Sequence, residues 1–172
     1  TGSWFAHQHL GVRPDVVSMA KALGNGVPIG ACWARADVAD VFEPGDHGTT
    51  YGGQPLATAA ARAVLAVMEE VDAPARALRA GERLTAALRT LPGVVDVRGR
   101  GLLLGAELAP GIAAKAVAGA ALDAGLIVNA VTPTALRLAP SLLVTDEEID
   151  EAVSILASVL HEHPGTPTEE SP

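Results

Sequence analysis

Cysteine occurs once, at Cys32, so no disulfide can form within the chain, and a reducing compartment suits it. Aromatic residues make up only 3% of the 172. Ala, Val, Leu and Gly carry the apolar character instead, which favours helices packed closely on a sheet over an all-β sandwich. Positive charge is scarce, and the formal net charge is −8. That argues against nucleic acid as a partner, because phosphate-backbone binding needs a basic face. No apolar run reaches the roughly 18–20 residues that span a bilayer. The start, Thr1-Gly2-Ser3-Trp4, has neither a basic n-region nor an apolar h-region, so no secretory signal is expected. It also lacks an initiator Met, and the sequence is expected to be a piece of a longer protein.

With 49% apolar residues the chain has enough to bury one good core or two small lobes. A buried strand is predicted over Val16–Ala20, ending at Lys21 and the turn Gly24-Asn25-Gly26. A second strand is predicted over Ile29–Ala34, followed by a turn-rich loop from Glu43 to Gly53. Pro55 opens a helix expected to run to Glu70, with Leu56, Ala60, Val64 and Val67 at helical spacing. A second helix is predicted over Pro74–Leu91, its stripe being Leu78, Leu84, Leu88 and Leu91, with Pro92-Gly93 ending it. Beyond it a small α/β lobe is expected. Strands Val94–Val97 and Leu102–Leu108 bracket an Arg/Gly turn, and a helix covers Ile112–Ala124. Further strands are Leu126–Val131 and Ala135–Leu138. Thr145 and Glu148 form a capping box for the last helix, whose buried face is Ile149, Val153, Leu156 and Leu160. Residues 162–172 read as a disordered tail.

Lysine occurs only at Lys21 and Lys115. Lys115 sits on an amphipathic helix and reads as a solvated side chain. Lys21 follows an apolar strand and precedes glycines that let a ligand approach the backbone. A lysine so presented can form a Schiff base with a carbonyl cofactor, although spacing alone leaves a plain surface lysine equally open. A phosphate P-loop is excluded, because there the lysine follows the glycines. Asp46-His47 is a poor catalytic dyad, since adjacent loop residues seldom orient each other. His7, His9, His161 and His163 lack ligand spacing, so no metal site is expected. Gly99, Gly101 and Gly105 do not open a helix after a strand and so make a weak dinucleotide fingerprint.

Three blocks carry a more specific signal. Ser18-Met19-Ala20-Lys21-Ala22-Leu23-Gly24-Asn25-Gly26-Val27-Pro28-Ile29-Gly30-Ala31 resembles the cofactor-lysine signature of class III (ω) aminotransferases. Pro44-Gly45-Asp46-His47-Gly48-Thr49-Thr50-Tyr51-Gly52-Gly53-Gln54-Pro55-Leu56-Ala57 is similar to that family's loop entering the partner subunit's site, with Gln54 replacing the commoner Asn. Leu136-Arg137-Leu138-Ala139-Pro140-Ser141-Leu142 resembles its carboxylate-binding segment, with Ser141 where a second Pro is usual.

The resemblance implies an α/β chain of the fold-type I pyridoxal-phosphate transferases. Residues 1–72 would be the C-terminal part of the cofactor-binding large domain, 73–92 a connecting helix, and 93–161 the small C-terminal α/β domain. It implies pyridoxal 5'-phosphate as cofactor. Lys21 would be the catalytic Schiff-base lysine, and Thr50 would donate to the cofactor phosphate of the other subunit. Thr49 would line that neighbouring site as a substrate-binding residue, and Arg137 would bind the substrate carboxylate. An ordinary surface ion pair is the alternative for Arg137. The family's Asp partner of the ring nitrogen, its phosphate cup and its stacking aromatic would all precede Thr1. The 172 residues alone are therefore expected to lack activity.

Val128-Asn129-Ala130-Val131 and the loop from His47 to Gly53 look most like acetylornithine-type members. The expected function is ping-pong transamination between N-acetylornithine and 2-oxoglutarate in arginine biosynthesis, by a cytoplasmic homodimer with shared sites. Ornithine, succinylornithine and 4-aminobutyrate aminotransferases remain alternatives, as does a non-catalytic dimerisation fragment. An aminomutase of the same fold fits less well, because the stretch from Tyr51 to Gly53 is unlike its loop.

Overall fold

A computed structural model describes residues 1–163. The chain forms two compact units, one comprising Phe5–Ala73 and the other Thr1–Trp4 with the residues from Pro74 onward.

In the unit of Phe5–Ala73, β1 (Val16–Met19) and β2 (Ala31–Ala34) pair antiparallel, with Val16 opposite Ala34 and Met19 opposite Ala31. A one-turn helix α1 (Ala36–Ala39) follows, and Arg35 at its start holds Asp37 in a bidentate pair and Asp15 at 2.7 Å. Helix α2 spans Pro55–Glu70, the bounds that Pro55 and the Ala-rich run predict. Its burial departs from the expected stripe. Ala57 and Ala61 are buried, while Leu56 is 72% exposed.

The other unit is a two-layer α/β lobe. Its antiparallel sheet has the order β3-β4-β6-β5, built from β3 (Val94–Arg100), β4 (Leu103–Leu108), β5 (Asn129–Ala130) and β6 (Ala135–Leu138). Helices α3 (Ala73–Leu88), α4 (Ala114–Asp123) and α5 (Asp146–Glu162) supply the rest of its core. Side chains alternate across a strand. Leu104, Ala106 and Leu108 of β4, with Leu136 and Leu138 of β6, therefore join Leu84, Leu88, Val117, Ile149, Leu156 and Leu160 in one cluster.

The sequence pattern misplaces some bounds here. The Arg/Gly turn is shorter and later than expected, because β3 continues through Arg98-Gly99-Arg100 and the chain reverses at Gly101-Leu102. β5 shrinks to two residues. Leu78 is partly exposed, and Ala77 and Ala80 take its place against the core. At Gly81 the helix nearly touches the β3–β4 turn, since a Cβ there would lie 2.1 Å from the Gly101 carbonyl oxygen. The capping box at α5 forms as predicted. Glu148 N–H donates to Thr145 Oγ1 (3.2 Å), and Thr145 N–H donates to Glu148 Oε2 (2.8 Å). Glu162 ends α5, so the expected tail loses its first residue to helix, and residues 164–172 lie outside the described residues. Among the described residues no helix is long and apolar enough to cross a membrane.

Candidate active site

Lys21 stands two residues beyond the end of β1, where the chain turns into a short 3-10 segment, Lys21–Leu23. Its φ is +51°, in the left-handed region that side-chain-bearing residues avoid. Such strain persists only where the surroundings impose it, and it clusters at functional positions. Here a tight run of hydrogen bonds imposes it. Leu23 N–H donates to Ala20 O (3.1 Å), Gly24 N–H to Lys21 O (3.1 Å), and Asn25 N–H to Ala22 O (3.2 Å). Gly24 must be glycine on packing grounds, because a Cβ would lie 2.2 Å from Val27 O. Gly26 must be glycine on backbone grounds, with φ +106°. The turn lies against α2. Lys21 is exposed, and among the described residues its ammonium has no ion-pair partner.

The second block forms the approach to α2. Thr49 Oγ1 accepts the Gly52 N–H at 3.1 Å, and this closes the turn. The Thr49 hydroxyl oxygen is thus already engaged in shaping the loop. Thr50 is exposed, and its hydroxyl is unpaired among the described residues. No side chain caps α2, because Gln54 at the N-cap makes no such bond. The helix start therefore keeps backbone N–H groups available to an anion, a short way from Thr50 in sequence. Asp46 and His47 form no dyad. The Asp46 carboxylate instead accepts the Glu43 N–H at 2.8 Å. No group of three or more metal-ligating side chains occurs among the described residues.

Arg137 belongs to the other unit, at the exposed position of β6, opposite Gly105 on one side and Asn129 on the other. Among the described residues it has no hydrogen-bond or ion-pair partner, so the surface-pair alternative finds no acid. Its neighbours on the same sheet face behave differently. Arg98 Nη2 donates to Glu107 Oε2 at 3.0 Å, with Asp96 3.8 Å from the same guanidinium. Thr134 Oγ1 donates to Glu107 Oε1 at 2.5 Å. The Thr134 hydroxyl and then Arg98 hold the Glu107 carboxylate below the usual carboxylate range. Sequence reading missed this network, since only strand register brings its members together.

In the unit of Phe5–Ala73, an exposed lysine and an open helix start are groups that suit a carbonyl and a phosphate; in the other unit, the unpaired guanidinium suits a carboxylate. Solved structures share the architecture. The ornithine aminotransferase of Toxoplasma gondii, whose structure shows partial occupancy of PLP at its active site, matches with a TM-score of 0.85 and 35% identity. The match covers 95% of this chain and 40% of that one. The acetylornithine aminotransferase of Elizabethkingia anophelis matches with a TM-score of 0.82 and 32% identity, over 94% of this chain and 44% of its own. The fold is accordingly that of the fold-type I pyridoxal-phosphate enzymes. The chain belongs to the class-III aminotransferase family, whose model matches residues 1–160, and pyridoxal 5'-phosphate is that family's cofactor. Among curated relatives, the acetylornithine aminotransferase of Corynebacterium efficiens is 54% identical over 94% of this chain, and that of Mycolicibacterium smegmatis is 49% identical over 93%. The chain spans 40% and 41% of the length of these two relatives.

Proposed function

We propose that this chain supplies the lysine, threonine and arginine of an acetylornithine aminotransferase, which moves an amino group between N-acetylornithine and 2-oxoglutarate in arginine biosynthesis. The observation that carries the reading is Lys21, an exposed lysine on strained backbone at a strand end. Relatives of that name at 54% and 49% identity support the substrate. The cofactor, when bound, supplies an electron sink that stabilises charge at the carbon losing its proton. Lys21 Nζ would hold the cofactor through its aldehyde carbon and would serve as the base that moves a proton at the reacting substrate carbon. Thr50 Oγ1 donates to the cofactor phosphate of the neighbouring subunit in a homodimer, beside the open start of α2. Thr49 lines that same neighbouring site. Arg137 forms a bidentate pair with a substrate carboxylate, a geometry that guanidinium suits better than ammonium. The cytoplasm is the proposed location.

Borohydride reduction of the holoenzyme followed by peptide mapping tests the lysine. The adduct is expected on Lys21, and an adduct on Lys115 would overturn the assignment. A mixed dimer of Thr50→Val and Lys21→Ala chains tests the shared site. A trans contact puts both lesions in one site and leaves the other with wild-type turnover. A dimer with no intact site would show that Thr50 acts within its own subunit.

A second reading, ornithine as the amino donor, is favoured by the 35% identity to an ornithine aminotransferase. Comparing kcat/KM for ornithine and N-acetylornithine decides between them.

A further inference from the structure

The exposed sheet face around Arg137 holds a carboxylate that ought to neutralise it and does not. Across the sheet, register sets Arg98 of β3 beside Gly105 of β4, and Gly105 beside Arg137 of β6. Glu107 lies two residues along β4 from Gly105, so it faces the same way and is the diagonal neighbour of Arg137. Diagonal pairs of this kind are about 7–8 Å apart, within reach of long side chains. An Arg and a Glu so placed would ordinarily pair. Instead each Glu107 oxygen accepts from another donor, one from Arg98 Nη2 at 3.0 Å and one from Thr134 Oγ1 at 2.5 Å, and these two bonds turn the carboxylate towards them. The Arg98 reach passes over Gly105. The Arg98 stem lies along the bare glycine, its Cγ 3.8 Å from where a Cβ would be, and its guanidinium reaches Glu107. Arg137 is left without a partner among the described residues.

We propose that Arg98 and Thr134 are positioning residues that hold the Glu107 carboxylate away from Arg137, so that its guanidinium stays free for the substrate carboxylate. The inference rests on the reading of Arg137 given above and adds to it the device that keeps that arginine available. Glu107 without its two donors is an internal competitor of substrate. An exposed ion pair shifts an equilibrium by about two- to five-fold, and the competition should be of that order. It acts on binding and not on the chemical step, so it enters KM and leaves kcat alone.

The test uses Arg98→Gln, Thr134→Val, and the double variant Arg98→Gln with Glu107→Gln, in the holoenzyme. Two readouts are taken. One is the KM for 2-oxoglutarate. The other is the rate at which phenylglyoxal modifies Arg137, followed by peptide mass spectrometry. Arg98→Gln should raise KM about two- to five-fold at unchanged kcat and slow Arg137 modification by a similar factor. The double variant should restore both. Unchanged modification of Arg137 in Arg98→Gln, or failure of the double variant to restore it, would make the network an ordinary cross-strand brace. Should Arg98→Gln fold poorly, Thr134→Val must by itself slow Arg137 modification, and no change there would overturn the proposal. Arg137→Lys separates the two readings. If it leaves KM unchanged while Arg98→Gln still slows modification of Arg137, the substrate role falls and the sequestration stands.

Discussion

The unit from Pro74 onward and the unit of Phe5–Ala73 solve opposite problems with similar residue types. The first buries Leu84, Leu88, Leu104, Leu108, Leu136, Ile149, Leu156 and Leu160 in one cluster between a four-stranded sheet and its helices. The second buries only alanines among its apolar residues, Ala57, Ala61 and Ala73, and leaves Val16, Trp33, Val41, Phe42 and Leu56 exposed. One unit therefore draws stability from hydrophobic burial. The other holds its shape by local means, through turn hydrogen bonds, glycines and the Arg35 pairs with Asp15 and Asp37. The lysine and both threonines lie in the locally held unit, and the arginine lies on the packed one. On the proposed roles, cofactor chemistry and carboxylate recognition would fall to units held together by different means.

Core truncation gives the largest expected separation between the units. Leu88→Ala, at a fully buried position, should cost about 2–5 kcal/mol, while Val16→Ala at an exposed one should stay within about 0.5 kcal/mol. Denaturant unfolding measures both, and equal costs would break the comparison. Glycine replacement sharpens it within the packed unit. Gly81→Ala should cost about 1–3 kcal/mol, because the new methyl meets the Gly101 carbonyl. Gly119→Ala in α4 meets nothing and should stabilise by about 0.5–1 kcal/mol. Thermal unfolding should move in opposite directions for these two.

Caps come next. Thr145→Ala removes the Glu148 N–H acceptor and should cost about 1 kcal/mol, whereas Gln54→Ala, which removes no cap bond, should cost nothing measurable. The smallest effect is a pH dependence. The Glu107 carboxylate is held below its ordinary range by Thr134 and Arg98, so the folded chain gives up that proton more readily than the unfolded one. Its contribution to stability is full above the ordinary carboxylate value near ~4.3 and is lost as pH falls below it. Wild type and Glu107→Gln should therefore differ in melting temperature at pH 7 and converge towards pH 3.

Much of the packed unit was legible because its pattern is strong. The capping box at Thr145 and the stripe Leu84-Leu88-Leu91 predict what forms. Leu56 and Leu78 misled because spacing marks a helix face without saying what covers it, and small alanines took the buried positions. The helix Ala36–Ala39 is too short to show periodicity. At the site, motif order is what singles out Lys21, Thr50 and Arg137, and among the described residues Arg137 has no ion-pair partner. Two features could not be read from the letters. The φ of Lys21 depends on how the following turn closes, and the restraint of Glu107 depends on the register of three strands.

The left-handed backbone at Lys21 sets foldability against use at one codon. A lysine there carries a conformational penalty of about 1–2 kcal/mol that glycine would not. Replacement of Lys21 by glycine should therefore give a sturdier chain and, on the role proposed for Lys21, one with no anchor for its cofactor. Any library sorted for thermal tolerance alone would drift towards that inert solution. If Lys21 holds the cofactor as proposed, selection for turnover would keep reinstating the costlier residue.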